Sequence, residues 1–286
     1  MTIRPFRSAL YIPGSKERAL DKARGLPVDA ILFDLEDAVA PDEKANARAT
    51  LAAALTEGGF GDRYKIVRMN GLETEWGADD AAAIAEMECD AVLVPKVNSA
   101  ADIDAVVALV AGKPLWAMME TPLAVINAPQ IALHPAVEGF VLGTNDLAKD
   151  LGTRRAPRRE PLLYALQACL MAARAHGVIA LDGVYNAFKD DEGLAEECEQ
   201  GRDMGYDGKT LIHPAQIEIT NRIFAPTEAE IDLARRQIAA YDEAIATGQA
   251  VAVVDGRIVE NLHIVTARAT LAKAEAIEAI TQATSV

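Results

Sequence analysis

Glu120 and Asp146 each stand just past a short apolar run. Glu120 closes Leu115-Trp116-Ala117-Met118-Met119, and Asp146 follows Gly139-Phe140-Val141-Leu142 through Gly143-Thr144-Asn145. If those runs are consecutive parallel strands, the two carboxylates become neighbours at one end of a sheet. Adjacent anions with no cation between them repel, and a shared hard divalent ion relieves the repulsion. One or two carboxylates completed by water and substrate oxygens is the usual Mg2+ arrangement, with Mn2+ as the alternative ion. Helix caps or loop salt bridges are the plainer use of either residue alone. Asp34, Glu36 and Asp37 follow the run Ala30-Ile31-Leu32-Phe33 and offer further carboxylates behind such a metal or around its waters.

Arg68 closes Lys65-Ile66-Val67, and Asn70 lies two residues on. A guanidinium near a metal-held oxyanion accepts developing negative charge without losing its proton. Pairing with Asp34 or Glu36 is compatible with that role, so Arg68, Asp34 and Glu36 form one candidate catalytic group. Lys96, after Pro95, is either a Schiff-base nucleophile or an ion-pairing lysine. The carboxylate pair favours the second, because a metal and a Schiff base are alternative ways to stabilise an enolate. Ser8 and Ser15 have no histidine nearby in sequence, and no G-x-S-x-G turn is present. His213, in Ile-His-Pro, is read either as a rim or ligand group or as a structural corner.

These residues need a common platform. Eight short apolar runs end in polar or charged residues: 9–12, 30–33, 65–67, 91–94, 115–119, 139–142, 178–181 and 209–212. Ala-rich amphipathic stretches separate them, over roughly 15–25, 42–57, 78–88, 99–111, 122–133, 160–176, 190–205 and 214–224. Strand–helix alternation implies a parallel sheet. Eight repeats favour closure into a (β/α)8 TIM barrel, whose C-terminal rim gathers all eight clusters. An open doubly wound sheet is the alternative, but no G-x-G-x-x-G turn follows any run. Pro41-Asp42-Glu43 and Asn98-Ser99 read as helix starts. Residues 152–161, with four arginines, read as a mobile rim loop, either solvated or in contact with a phosphorylated ligand.

The pattern changes after Phe224-Ala225-Pro226. A helix over 227–247, a hairpin turning at Asp255-Gly256 and a last helix over 262–281 are expected. The chain is thus divided into a catalytic barrel, 1–225, and a helix–hairpin–helix appendage, 226–286, serving as lid or oligomer contact.

The charge balance is 28 basic against 43 acidic residues, which disfavours nucleic acid and anionic membrane as partners. No run reaches the length of a membrane span. The N-terminus has no apolar signal core, and Cys89, Cys169 and Cys198 are scattered, so a cytoplasmic location with free thiols is expected.

The quoted segments also resemble a known family. Arg7-Ser8-Ala9-Leu10-Tyr11-Ile12-Pro13-Gly14, Asp34-Leu35-Glu36-Asp37-Ala38-Val39, Arg68-Met69-Asn70-Gly71, Pro95-Lys96-Val97, Glu120, Gly143-Thr144-Asn145-Asp146-Leu147, Asp182-Gly183-Val184-Tyr185 and Gly208-Lys209-Thr210-Leu211-Ile212-His213-Pro214 run in family order. They resemble the citrate lyase β-subunit-like, malyl-CoA lyase family. The resemblance implies Mg2+ on Glu120 and Asp146, with Arg68 stabilising the enolate or oxyanion of a CoA thioester. It places Lys16 and Lys22 at the CoA phosphates, and Tyr11, Asn70 and Asp182 among substrate or CoA contacts. It also implies homotrimers or dimers of trimers, with the appendage over a neighbour's site.

In the lyases of this family the hairpin usually ends in an aspartate that acts as acid/base. Here Glu260 stands at that place, in Gly256-Arg257-Ile258-Val259-Glu260-Asn261. A displacement of about 1 Å can cost about a hundredfold in a positioned reaction, and the longer side chain suits activation of a water. Residues 259–265 and 182–188 are most similar to the (3S)-malyl-CoA thioesterase branch. Hydrolysis of malyl-CoA is therefore the first expectation, with Glu260 as catalytic base. Retro-Claisen cleavage of malyl-, β-methylmalyl- or citramalyl-CoA is the second. A citrate lyase β-like subunit of a larger complex is the third, and a keto-acid aldolase the weakest.

Overall fold

Parallel strands covered on both faces read as continuous apolar runs, and each of the eight runs forms one. A computed structural model describes residues 4–154 and 156–284. Its strands are β1 (Ser8–Pro13), β2 (Ala30–Asp34), β3 (Tyr64–Arg68), β4 (Ala91–Val94), β5 (Leu115–Met119), β6 (Val137–Leu142), β7 (Ile179–Asp182) and β8 (Gly208–Leu211). They pair in sequence order, and β8 returns to β1 with Ala9 opposite Thr210, closing a parallel barrel. The register brings Asp34 of β2 opposite Arg68 of β3, and Asp182 of β7 opposite Lys209 of β8.

Helices α1 (Glu17–Ala23), α2 (Lys44–Glu57), α3 (Gly77–Glu86), α4 (Ala100–Val107), α5 (Pro122–Ala132), α6 (Thr144–Leu151), α7 (Leu163–His176), α8 (Asp191–Met204) and α9 (Ile217–Phe224) lie between and after the strands. Ser99 caps α4 through a reciprocal pair with Asp102. A short 3-10 turn, Pro41–Glu43, leads into α2, as the Pro-acidic start implies. α6 was not expected. It begins inside the cluster read as a strand end, and it stops at Gly152, which adopts the left-handed conformation at φ 64°.

Alternate strand residues fill two layers. Ile31, Phe33, Val67, Val92, Val94 and Leu142 face the helices. Ala30, Leu32, Ile66, Leu93, Val141 and Leu181 point into the barrel, together with Phe6 and Trp116. Phe6 packs edge-on against Tyr64 at 5.3 Å between ring centroids and also meets Trp116 at 5.3 Å. The Tyr64 hydroxyl and Trp116 Nε1 both donate to Glu138 Oε2, at 2.5 and 2.8 Å. The N-terminal end of the barrel is thus a satisfied aromatic plug.

Residues 152–161, read as a rim loop either solvated or in contact with a phosphorylated ligand, contain one arginine that is bound by protein groups instead. Arg159 Nη1 donates to Asp182 Oδ1 at 2.7 Å and Nε to Gln200 Oε1 at 3.0 Å. Arg154 and Arg158 are exposed, while Arg155 lies outside the described residues. The first three residues, part of the stretch read for an export signal, lie outside them too. No helix among the described residues is long and apolar enough to cross a membrane. The three cysteines are free and buried.

Two compact units divide between Phe224 and Ala225, residues 6–224 forming the barrel unit. The other unit holds α10 (Glu228–Ala246), β9 (Ala252–Val254), β10 (Arg257–Val259) and α11 (Asn261–Thr284). Thr227 caps α10 in a reciprocal pair with Glu230. Asp255 and Gly256 both have positive φ, the signature of a two-residue primed hairpin turn. Ala244, Ala252, Val259 and Ile264 form the unit's own small core.

Barrel closure leaves no room at Gly208. A Cβ there would stand 1.8 Å from the Phe6 carbonyl oxygen. Gly208→Ala is expected to destabilise the chain by about 3 kcal/mol through forced separation of β8 and β1, read as a lowered urea midpoint. A stability within about 0.5 kcal/mol of wild type would contradict this account of closure.

Candidate active site

A cavity of about 340 Å³ opens among the strand C-terminal ends, with Tyr11, Asp34, Asp37, Arg68, Glu120 and Asp146 on its walls. Arg68 is its fixed point. Its Nε donates to Asp34 Oδ1 at 2.8 Å and its Nη2 to Oδ2 at 2.6 Å, a bidentate pair buried on both sides. Asp34 also accepts from the amides of Glu36 at 2.9 Å and Ala38 at 3.0 Å. Arg68 Nη1 stands 2.7 Å from Glu36 Oε2 and 3.4 Å from Asp37 Oδ2. Glu36 Oε2 lies off the N–H direction, so that contact is an ion pair without a hydrogen bond. The Tyr11 ring lies 4.9 Å from the guanidinium carbon. Burial holds the Tyr11 hydroxyl protonated, with Arg68 opposing. Burial likewise pushes the Glu36 carboxyl up to about 7, again against Arg68.

Glu120 is almost fully buried at the end of β5. Its Oε1 accepts from the Lys96 amide at 2.7 Å, and Lys96 adopts a left-handed φ of 50° there. Burial raises the Glu120 carboxyl, the Lys96 amide works against that, and the charge of Asp146 adds to the rise. Lys96 Nζ stands 3.7 Å from Glu36 Oε1, so it is the ion-pairing lysine expected. Asp146 sits in the first turn of α6, whose N-cap residue Gly143 offers no side-chain cap. A Cβ at Gly143 would come 2.3 Å from Glu120 Cβ, so glycine lets α6 start beside the carboxylate. An open helix N-terminus next to the cavity favours a bound anion.

Charge balance tests the fit to a metal. Asp34, Glu36 and Asp37 face Arg68, Lys96 and the buried Lys44, whose ammonium binds the Leu35 and Glu36 carbonyls. Glu120 and Asp146 have no ion pair among the described residues. That half of the cavity carries two uncompensated negative charges on hard oxygen donors, which suits a divalent cation. No group of three or more His, Cys, Asp or Glu side chains is arranged to hold a metal among the described residues. The carboxylate pair would therefore rely on water and ligand oxygens for the remaining positions.

Other expected site residues lie elsewhere. Asp182 does not face the cavity and is not placed to touch a ligand. Its carboxylate is fully buried, donated to by Lys209 Nζ at 3.0 Å and Arg159 at 2.7 Å, because β7 and β8 set Asp182 beside Lys209. Asn70 is also buried; its amide nitrogen donates to Leu35 O and Asp80, and its oxygen accepts from Lys44. Lys16 precedes α1 and Lys22 lies in its last turn, both exposed and neither on the cavity wall. His213 is the structural corner: its Nδ1 accepts from the Ala215 amide and its ring stacks on Phe188 at 4.6 Å. Glu260 is exposed, between β10 and α11. Thr144 and Asn145 on the cavity wall were not singled out, and the stop at Gly152 was the readable signal for their helix.

A family model described as HpcH/HpaI aldolase/citrate lyase matches residues 7–214. The chain belongs to the HpcH/HpaI aldolase/citrate lyase family. Among relatives in this family, a (3S)-malyl-CoA thioesterase of Cereibacter sphaeroides is 66% identical over 275 residues, covering 96% of each chain. Citrate lyase subunit beta of Escherichia coli is 35% identical over 281 residues, covering 94% of this chain and 93% of that one. The solved family structure of CitE from Mycobacterium tuberculosis, in complex with magnesium, acetoacetate and coenzyme A, superposes with a TM-score of 0.81. It is 29% identical and covers 96% of this chain and 100% of that one.

The raised carboxyl of Glu36 ties stability to pH. Because the folded value of about 7 exceeds the ordinary 4.5, the stabilisation is full below 4.5 and is lost as pH rises through 7. In metal-free protein, Glu36→Gln should gain on wild type between about pH 5 and pH 8, by on the order of 2–3 kcal/mol, and stay level above that. Urea midpoints measured across the range check it; a constant difference would remove Glu36 as the titrating group.

Proposed function

We propose that this chain is a Mg2+-dependent enzyme that hydrolyses (3S)-malyl-CoA to malate and CoA. The observation that carries the reading is one cavity holding a pinned guanidinium beside an uncompensated carboxylate pair, in a chain 66% identical to a (3S)-malyl-CoA thioesterase. The magnesium and coenzyme A bound to the solved relative support the same choice of ligands.

Glu120 and Asp146 would hold the ion. When bound, Mg2+ supplies a Lewis acid that orients the malyl oxygens. The N-terminus of α6, at Gly143 and Thr144, would receive the malyl carboxylate. Arg68 spends three of its hydrogen bonds on Asp34 and Asp37, and its remaining N–H groups are available to the thioester oxygen. Water attacks the carbonyl carbon, negative charge collects on that oxygen beside Arg68, and the C–S bond then breaks, with the thiolate leaving as CoA. Tyr11 would wall the reacting carbon, and Lys16 and Lys22 would meet the CoA phosphates outside the cavity. Glu260 of a neighbouring subunit would take the proton from water. A trimer or hexamer is proposed on the same grounds. Val253, Ile258, Leu262 and Val265 expose apolar side chains on the unit that carries Glu260, as an association surface would.

Purified protein given malyl-CoA and Mg2+ should release malate and CoA, and chelation should abolish the reaction until Mg2+ is restored. Equal amounts of glyoxylate and acetyl-CoA without malate would replace this reading with C–C cleavage. Glu260→Gln should lower kcat by about 10²–10⁴ with the native mass unchanged. Undiminished turnover would remove Glu260 as the base.

A further inference from the structure

α2 opens on a lysine whose charge is taken out of water. Lys44 is 5% exposed. Its Nζ donates to Leu35 O at 2.9 Å, Glu36 O at 2.6 Å and Asn70 Oδ1 at 2.8 Å, using all three N–H groups. The Trp76 ring centroid lies 5.2 Å away. No carboxylate forms an ion pair with Lys44 among the described residues. A buried ammonium bound only by neutral oxygens is costly, and its partners all belong to the two loops that flank Arg68.

The geometry of one peptide bond shows what this arrangement achieves. The Leu35 carbonyl and the Glu36 amide are opposite ends of a single planar trans unit. Lys44 and Asn70 Nδ2 hold the carbonyl end, and the amide end donates to Asp34 Oδ1. That same oxygen receives Arg68 Nε. Asn70, held by Lys44 at one end, is anchored at the other by Asp80, through its side-chain and main-chain nitrogens at 2.6 and 2.9 Å. Arg48 of α2 pairs with Asp80 in turn, at 2.9 Å. A continuous set of buried polar contacts therefore runs from α2 and α3 to the carboxylate that orients the guanidinium.

We propose that Lys44 is a positioning residue for Arg68: it fixes the Leu35–Glu36 peptide so that Asp34 presents the guanidinium to the reacting oxygen, and it touches no substrate itself. The kinetic part rests on the hydrolase reading above; the geometric part does not.

The test uses Lys44→Met, which keeps the length of the side chain and removes its donors. Turnover of malyl-CoA should fall about 10- to 100-fold, the cost of a small misplacement of a catalytic group. KM should stay within about threefold, because Arg68 acts on charge that appears only during reaction. In protein labelled with 15N-arginine, the Arg68 Nε–H resonance is assigned by its loss in Arg68→Lys. It should shift in Lys44→Met and exchange with solvent about tenfold faster or more, as for a loosened buried hydrogen bond. A folded variant with an unmoved Arg68 resonance, or with unchanged kcat, overturns the proposal. If wild type hydrolyses no malyl-CoA, the hydrolase reading fails, and the resonance still decides whether Lys44 positions Arg68. If Lys44→Met does not fold, Lys44→Gln carries the same measurements, since its neutral, shorter side chain has two donors and cannot replace the three contacts of the ammonium.

Discussion

A guanidinium withdrawn from water must be held by charge and hydrogen bonds at short range, and at the end of β3 that requirement organises the mouth of the barrel. Strand register alone brings Asp34 opposite Arg68. Two parallel hydrogen bonds then fix the plane of the guanidinium, and two main-chain amides fix the carboxylate. The loop after β2 must curl to provide those amides, which draws its carbonyls toward α2. Such a carboxylate cannot rotate without leaving a buried charge unpaired, a loss of about 3–5 kcal/mol. The direction of Arg68 into the cavity is thus a property of the scaffold rather than of any bound ligand.

The opposite side of the rim uses the same materials to a different end. Asp182, Lys209, Glu197 and Arg159 form a second buried cluster, with Lys209 donating to both acids. Its charges cancel, with the Asp182 carboxylate fully enclosed and Glu197 only partly so. It secures the segment after α6 to the barrel wall. Around Glu120 and Asp146, by contrast, the cancellation is incomplete. Asp34 and Asp182 each have a cation in register beside them, whereas Glu120 and Asp146 have no ion pair among the described residues.

The eight strands were legible because burial on both faces makes each an unbroken apolar run, and their order around the barrel follows from alternation with helices. The hairpin was legible because Asp255-Gly256 suits the two positive φ angles that its turn requires. Pairings distant in sequence were not. Asp182 and Lys209 are separated by 27 residues, and composition does not reveal that they meet. α6 was overlooked because its first turn carries Gly, Thr, Asn and Asp, residues that also compose loops. Lys44 followed an ordinary Pro-acidic helix start, and only the fold shows its ammonium turned inward.

The hairpin of the smaller unit has a further consequence. Its strands are three residues each, its turn is the tightest two-residue kind, and α11 begins at Asn261 directly after Glu260. Glu260 is the single residue between β10 and α11, with no loop residue on either side. A chain built this way cannot absorb a change of side-chain length by letting a loop drift. The distance from backbone to carboxylate becomes a fixed gauge, and a single methylene at this one position is passed on in full to whatever the carboxylate meets.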